Sequence, residues 1–201
     1  MRPIAVAEDV TLAPLQIEDA SELFRLTDAN RDYLRRWLPW LDSIKRVTHT
    51  RAFIQAARSY SESRKGLQLA IRRHDRIAGI VGYHPIDWRN RLTSLGYWVG
   101  EDYQGLGLVT ASCHALLTHA FNDVRLNRVE IRCAVANHRS RAVPTRLGFR
   151  QEGLLRDAEW LYDRFVDHVV YAMLAREWPQ AAVRPLAATT AAGPKGGGPR
   201  L

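Results

Sequence analysis

The chain has 201 residues, 46% apolar and 25% charged, with two cysteines; such a composition excludes a disordered or fibrous chain, a disulfide scaffold and a zinc-finger array. No apolar stretch approaches the ~20 residues that span a bilayer, and residues 1–5 open no signal-peptide core, so a soluble cytoplasmic protein is expected. The net charge of +8 rests on 26 arginines and only Lys45, Lys65 and Lys195, which fits an acidic partner such as a nucleotide cofactor, nucleic acid or a membrane surface, or equally a codon bias toward arginine.

In chain order, residues 10–12 read as a short strand. Residues 17–26 read as a helix, with Ala20, Leu23, Phe24 and Leu26 at helical spacing. A second short helix covers 31–38 and ends before Pro39; Thr48 is the expected N-cap of a third, in which Ala52, Phe53, Ala56, Ala57 and Tyr60 form one face. Segments 67–73 and 76–83 are strands joined by the turn pair His74-Asp75, and 92–99 is a further strand. A clear helix over 110–121 follows, then strand 128–135, short helix 139–147, and strands 149–155 and 166–174. Helices, hairpin strands, then alternating strand and helix describe an α+β domain with a mixed sheet over residues 1–179. Residues 180–201 hold Arg184, Lys195 and Arg200 with no acid, amid Gly193, Gly196, Gly197, Gly198, Pro185, Pro194 and Pro199. That composition predicts a disordered tail.

The informative stretch is Tyr97-Trp98-Val99-Gly100 running into Gln104-Gly105-Leu106-Gly107-Leu108-Val109-Thr110, a glycine-rich turn between a strand and the best helix. Closely spaced glycines let backbone N–H groups point into one concavity, and at a helix N-terminus such donors form a pyrophosphate cradle. No Gly-Lys-Ser/Thr follows, so this is not a Walker loop, and the third glycine of a dinucleotide fingerprint is missing. Taken alone, the pattern is weak evidence and reads more readily as a plain tight turn.

The stretch resembles the acetyl-coenzyme A signature of the GNAT acyltransferase superfamily, Gln/Arg-x-x-Gly-x-Gly/Ala, matched by Gln104 and Gly107, with Val109 where the family has Gly or Ala. A second block, Asn137-His138-Arg139-Ser140 through Leu147-Gly148-Phe149 to Glu152-Gly153, resembles the RimJ/RimL-like branch, the ribosomal-protein N-terminal acetyltransferases and their relatives. The opening Val10-Thr11-Leu12-Ala13-Pro14-Leu15 and the late Ala158-Glu159-Trp160 and Asp167-His168-Val169-Val170-Tyr171 are similar too, so the likeness covers about residues 9–178 in the family's order.

The resemblance implies a mostly antiparallel twisted sheet, splayed at the coenzyme A site and flanked by helices. It also implies attack of an acceptor amine on acetyl-CoA without a covalent enzyme intermediate. The acceptor would be a protein N-terminus, such as that of a ribosomal protein, or a small amine such as an antibiotic or polyamine; succinyl-CoA as donor, and a non-catalytic module binding coenzyme A or RNA, are the competing readings. On the family's pattern the backbone of Trp98 and Val99 holds the pantetheine arm. Gln104, Gly105, Leu106, Gly107, Leu108, Val109 and Thr110 take the pyrophosphate, and Asn137 bonds the arm. Ser140 is then the acid for the departing thiolate and Glu159 the base, acting through water. Arg139, Arg141 and Arg146 are candidates for the phosphates, and Tyr33, Trp37 and Trp40 for an acceptor wall. Plainer readings stand beside these: Asn137 and Ser140 as a helix cap, Glu159 as a counter-charge to Arg156 or Arg164, and the aromatics as core. Cys113 and Cys133 read as buried thiols, and His114 and His119, five apart, do not share a helical face for a metal. Aromatics are not interleaved with basic residues, so direct nucleic-acid binding is not expected; a homodimer is a family-based expectation.

Overall fold

The computed structural model describes residues 2–178; the expected disordered tail lies outside the described residues. Strands β1 (Ile4–Ala7) and β2 (Val10–Pro14) lead into helices α1 (Ala20–Ala29), α2 (Arg31–Arg35) and α3 (Val47–Glu62). Next come β3 (Leu67–Arg73), β4 (Arg76–Tyr83), β5 (Leu92–Val99), α4 (Leu108–Thr118), β6 (Arg128–Ala134), α5 (His138–Arg146), β7 (Arg150–Leu161) and β8 (Arg164–Leu174). The eight strands form one sheet in the order β1-β2-β3-β4-β5-β6-β8-β7, in which only β5 and β6 run parallel.

Local chemistry accounts for most boundaries. His74 and Asp75 both take positive φ (45° and 62°), the geometry of a two-residue hairpin turn whose twist matches the strands. Gly148, at φ 80°, ends α5 just past its last turn. Several expectations need correction. β1 was not expected, because four residues after an N-terminal proline carry too short a pattern. Helix 17–26 begins as a 3-10 turn over Ile17–Asp19, closed by a reciprocal capping box between Gln16 and Asp19. α2 stops at Arg35, three residues short of the expected end. Thr48 is not an N-cap: α3 starts at Val47 with extended Arg46 before it. α4 starts two residues earlier than expected and closes in a π-turn over His119–Asp123.

Each strand sends alternate residues to opposite faces, and two clusters show which face meets which helices. Leu69, Val81, Leu95, Val99, Ile131, Cys133 and Val169 join Leu108, Leu116 and Leu117 of α4 and Val143 of α5. Ala70, Ile77 and Ile80, with Trp98 packed against them, join Leu23 of α1 and Ile54 of α3.

The β5–β6 pairing is what opens the site. It runs from Leu92↔Arg128 to Leu95↔Ile131 and stops. Beyond it β5 continues on β4 from Gly96 to Val99, and β6 continues on β8 from Arg132 to Ala134. Two strands that part inside a sheet leave backbone groups unpaired on both lips of the gap, a natural place for an extended ligand to complete the ladder.

Candidate active site

A cleft of about 1550 Å³ runs through this gap. At one end lies the turn before α4. Gly105 (φ 72°) and Gly107 (φ 75°) both take left-handed backbone, and a Cβ on Gly105 would meet nothing within 4 Å. No side chain caps α4; its first internal bond is Ala111 N–H to Gly107 C=O, so the N–H groups of Leu108, Val109 and Thr110 have no partner within the helix. The Nε2 of Gln104 is buried without a hydrogen-bond partner, while its Oε1 accepts from Arg139. Arg146 reaches across to Thr110 Oγ1 (3.2 Å). Unspent donors, a helix N-terminus and two guanidiniums make a polyanion cradle, and they fit the pyrophosphate of coenzyme A.

Where the strands part, the α4–α5 face carries a compact hydroxyl cluster. Asn137 caps α5, its Oδ1 accepting from Ser140 N–H (3.1 Å), so the cap reading of this pair is observed geometry. Pro144 has no N–H to give the carbonyl of Ser140 four residues back, and the Tyr97 hydroxyl donates to that carbonyl instead (3.0 Å). Ser140 Oγ then lies 3.2 Å from both Tyr97 OH and Cys133 Sγ. Burial raises the phenol of Tyr97 well above its ordinary range and pushes the Cys133 thiol up, so at neutral pH both keep their protons. The cluster can donate protons and offers no thiolate nucleophile.

The α1–α3 face of the same gap is different. Alternation places Gln68 (β3), His84 at the end of β4, Ser94 (β5), Arg132 (β6), His168 (β8) and Glu159 (β7) there, and all of them line the cleft. Glu159 lies 3.5 Å from His168 Nε2, and His84 Nδ1 lies 2.9 Å from Ser94 Oγ. Tyr33, Trp37 and Trp40 form the outer wall, with the rings of Trp40 and Trp98 at 6.1 Å. Tyr162, in the β7–β8 turn, donates to Leu38 C=O (2.5 Å) and accepts from Leu41 N–H, while the Arg35 guanidinium sits 3.8 Å over its ring. That contact ties the hairpin tip to the segment after α2.

An acetyltransferase (GNAT) domain profile matches residues 9–150. The Bacillus subtilis protein YdaF, named for ribosomal N-acetylation, is 34% identical over 86% of this chain and 95% of its own length. The ribosomal-protein-serine acetyltransferase of Escherichia coli is 29% identical over 85% and 96%. This chain belongs to the GNAT acetyltransferase family. Among solved structures, the microcin C7 self-immunity acetyltransferase MccE, bound to acetyl-CoA and AMP, is similar at 30% identity and TM-score 0.82, covering 86% of this chain and 96% of that one. The ribosomal L7/L12 α-N-protein acetyltransferase RimL, joined to coenzyme A by a cysteine disulfide, is similar at 27% identity and TM-score 0.83, covering 86% and 97%.

As a GNAT acetyltransferase the chain uses acetyl-CoA as co-substrate. The cleft gathers Tyr33, Trp37, Trp40, Trp98, Val99, Gln104, Gly105, Gly107, Leu108, Val109, Thr110, Asn137, Ser140 and Glu159. It does not gather Leu106, which packs on the core, nor Arg141, whose guanidinium donates to Tyr171 OH (3.0 Å) and Val135 C=O (3.0 Å). Of the three arginines considered for the phosphates, Arg139 and Arg146 face the loop and Arg141 does not. Glu159 meets His168 rather than Arg156 or Arg164. Sequence reading gave no role to Tyr97, His84, Ser94 or His168. The signal for Tyr97 was present in Pro144, four residues after Ser140, and that for His168 in the alternation of β8.

Proposed function

We propose that this acetyltransferase modifies the α-amine of a protein N-terminus, a ribosomal protein being the leading candidate, by direct attack on acetyl-CoA. The observation that carries this reading is the two-sided gap. Proton donors stand on one face and a carboxylate on the other, with an open, aromatic-walled entrance on the acceptor side. Relatives named for ribosomal-protein acetylation that align over about 85% of the chain support the same acceptor class, and such an acceptor sets the work in the cytoplasm.

In this reading the backbone of Trp98 and Val99 pairs with the pantetheine arm, the cradle from Gln104 to Thr110 takes the pyrophosphate, and Asn137 orients the arm. The amine nitrogen attacks the thioester carbonyl. Glu159, beside His168, accepts a proton from nitrogen through water as the tetrahedral intermediate forms, and Ser140, in the Tyr97 cluster, gives one to the departing thiolate. A homodimer would cover the apolar groups exposed on the outer hairpin, Leu154, Trp160 and Phe165. One specific observation favours a second acceptor, a small amine bearing a nucleotide: Trp37, Trp40 and Trp98 offer flat surfaces for a base, and the similar MccE holds AMP.

The test is a thiol-release screen with acetyl-CoA against N-terminal peptides, aminoacyl nucleotides, polyamines and aminoglycosides, with mass spectrometry locating the acetyl group. Peptide α-amines are expected to be modified. Turnover confined to small amines would overturn the protein acceptor.

A further inference from the structure

Acetyl transfer to an amine has a proton balance that one base does not cover. At neutral pH an α-amine, with pKa about 8, arrives mostly as an ammonium. It must lose one proton to expose the lone pair that attacks the carbonyl carbon. Once the C–N bond has formed and the C–S bond breaks, it loses a second to become the amide. One proton ends on the coenzyme A sulfur and the other in solvent. Two proton-accepting events therefore occur on the acceptor face, and the proposed mechanism names only Glu159.

His84 stands where the other is needed. Its ring lies over Gly96, the first residue of β5 beyond the last β5–β6 pair, so closely that a Cβ on Gly96 would meet Nε2 at 2.6 Å and Cε1 at 2.8 Å. Glycine at 96 is thus what lets an imidazole sit at the mouth of the gap. Ser94, directly across the β4–β5 ladder, holds Nδ1 at 2.9 Å, and Nε2 has no hydrogen-bond partner among the described residues. With Nδ1–H donating to Ser94 Oγ, Nε2 keeps its lone pair for the cleft. The ring is exposed and lines the cleft.

We propose that His84 Nε2 is a second proton acceptor of the acceptor site, taking the proton from the incoming ammonium before attack, while Glu159 takes the one released after it. This role rests on the acetyl-transfer reading above. Chemistry suits this order. A neutral imidazole is a stronger base than a carboxylate and can accept from an ammonium, whereas the nitrogen of the tetrahedral intermediate is acidic enough for Glu159. The cleft walls desolvate His84 and Arg132 from β6 opposes its protonation, while Glu159 from β7 favours it; the balance lowers its pKa from the ordinary imidazole value, so the ring is ready to accept at pH 7.

The test compares wild type, His84→Gln and Glu159→Gln at saturating acetyl-CoA, following kcat/KM for the acceptor from pH 6.5 to 9. At pH 7 His84→Gln is expected to lose roughly 10- to 100-fold, up to the low end of the range of general-base catalysis because Glu159 still acts. By pH 9, where the acceptor arrives already deprotonated, the loss shrinks to about threefold or less, while that of Glu159→Gln persists. A merely structural role would give His84→Gln the same deficit at both pH values, and that result, or a deficit below about twofold throughout, overturns the proposal. If peptides are not acetylated but a small amine is, the acceptor class fails and the comparison runs on that amine, the recovery tracking its pKa. A second readout needs no turnover. Imidazole NMR is expected to show His84 titrating below the ordinary histidine value and lower still in Glu159→Gln; no movement in that variant would also overturn it.

Discussion

The two ends of the cleft are made of different material. The donor end, residues 104–110 and the start of α5, is built from backbone: glycines at positive φ, unpartnered N–H groups and a helix N-terminus, with Arg139 and Arg146 beside them. The acceptor end is built from single side chains contributed by five strands and the residue that follows β4: Gln68, His84, Ser94, Arg132, His168 and Glu159. Backbone recognition is generic and suits a co-substrate shared by a whole family, since any residue supplies an N–H. Side-chain recognition can change one position at a time, which suits an acceptor that differs between relatives. Variants at the acceptor end are therefore expected to change rate, and variants at the donor end to change affinity for acetyl-CoA.

The largest effect is expected for Glu159→Gln. Losing the carboxylate removes the proposed proton acceptor and keeps the shape, so kcat is expected to fall by roughly 10²–10³-fold. The Kd for acetyl-CoA by calorimetry stays within about twofold. A matching loss of affinity would break the division between the ends. Next is Gly107→Val. A β-branched residue at φ 75° costs about 1–2 kcal/mol, and the turn relaxes by moving the N–H groups of Leu108 and Val109 off their common focus. A charge-assisted hydrogen bond is worth about 1.5–3 kcal/mol, so Kd for acetyl-CoA is expected to rise on the order of 100-fold while kcat at saturation changes far less.

This contrast also explains what could be read from the chain. The donor end is local: Gln104, Gly105 and Gly107 lie within four residues, so a motif exposes them. The β3–β4 hairpin was legible for the same reason, since His74-Asp75 marks its own turn. The start of α4 was placed two residues late because the cap is Gly107 in left-handed backbone, with no Ser, Asp or Asn to announce it. The acceptor end is the opposite case. His84 and Glu159 are 75 positions apart and reach the same cleft only through the register of β4, β5, β6, β8 and β7, which includes a bulge between Leu155 and Glu159. No spacing rule contains that bulge. β7, expected to end at residue 155, runs on to Leu161 past it, and this extension carries Glu159 to the gap.

Ser140→Ala sharpens the boundary between the two ends, because Ser140 sits in the hydroxyl cluster where the strands part. Loss of its Oγ is expected to lower kcat about tenfold and to leave Kd for acetyl-CoA nearly unchanged. Tyr97→Phe is expected to have a similar effect. The double variant should lose little more than either alone, because both hydroxyls belong to one network and their effects do not add. Full additivity in kcat would mean that the two act separately.

The smallest effect isolates backbone strain from contact. Gly105 and Gly107 have nearly the same φ, yet only Gly107 is the residue from which α4 begins. A Cβ on Gly105 meets nothing within 4 Å, so Gly105→Ala introduces no clash and pays only for holding alanine in left-handed backbone, about 1 kcal/mol. In a domain of this size that corresponds to a fall in Tm of about 2–4 °C. Affinity for acetyl-CoA should drop less than about threefold, because the donors on Leu108, Val109 and Thr110 belong to the helix and not to residue 105. If Gly105→Ala instead weakens binding as much as Gly107→Val, the cradle depends on the conformation of the whole turn, and the helix N-terminus alone does not define the donor end.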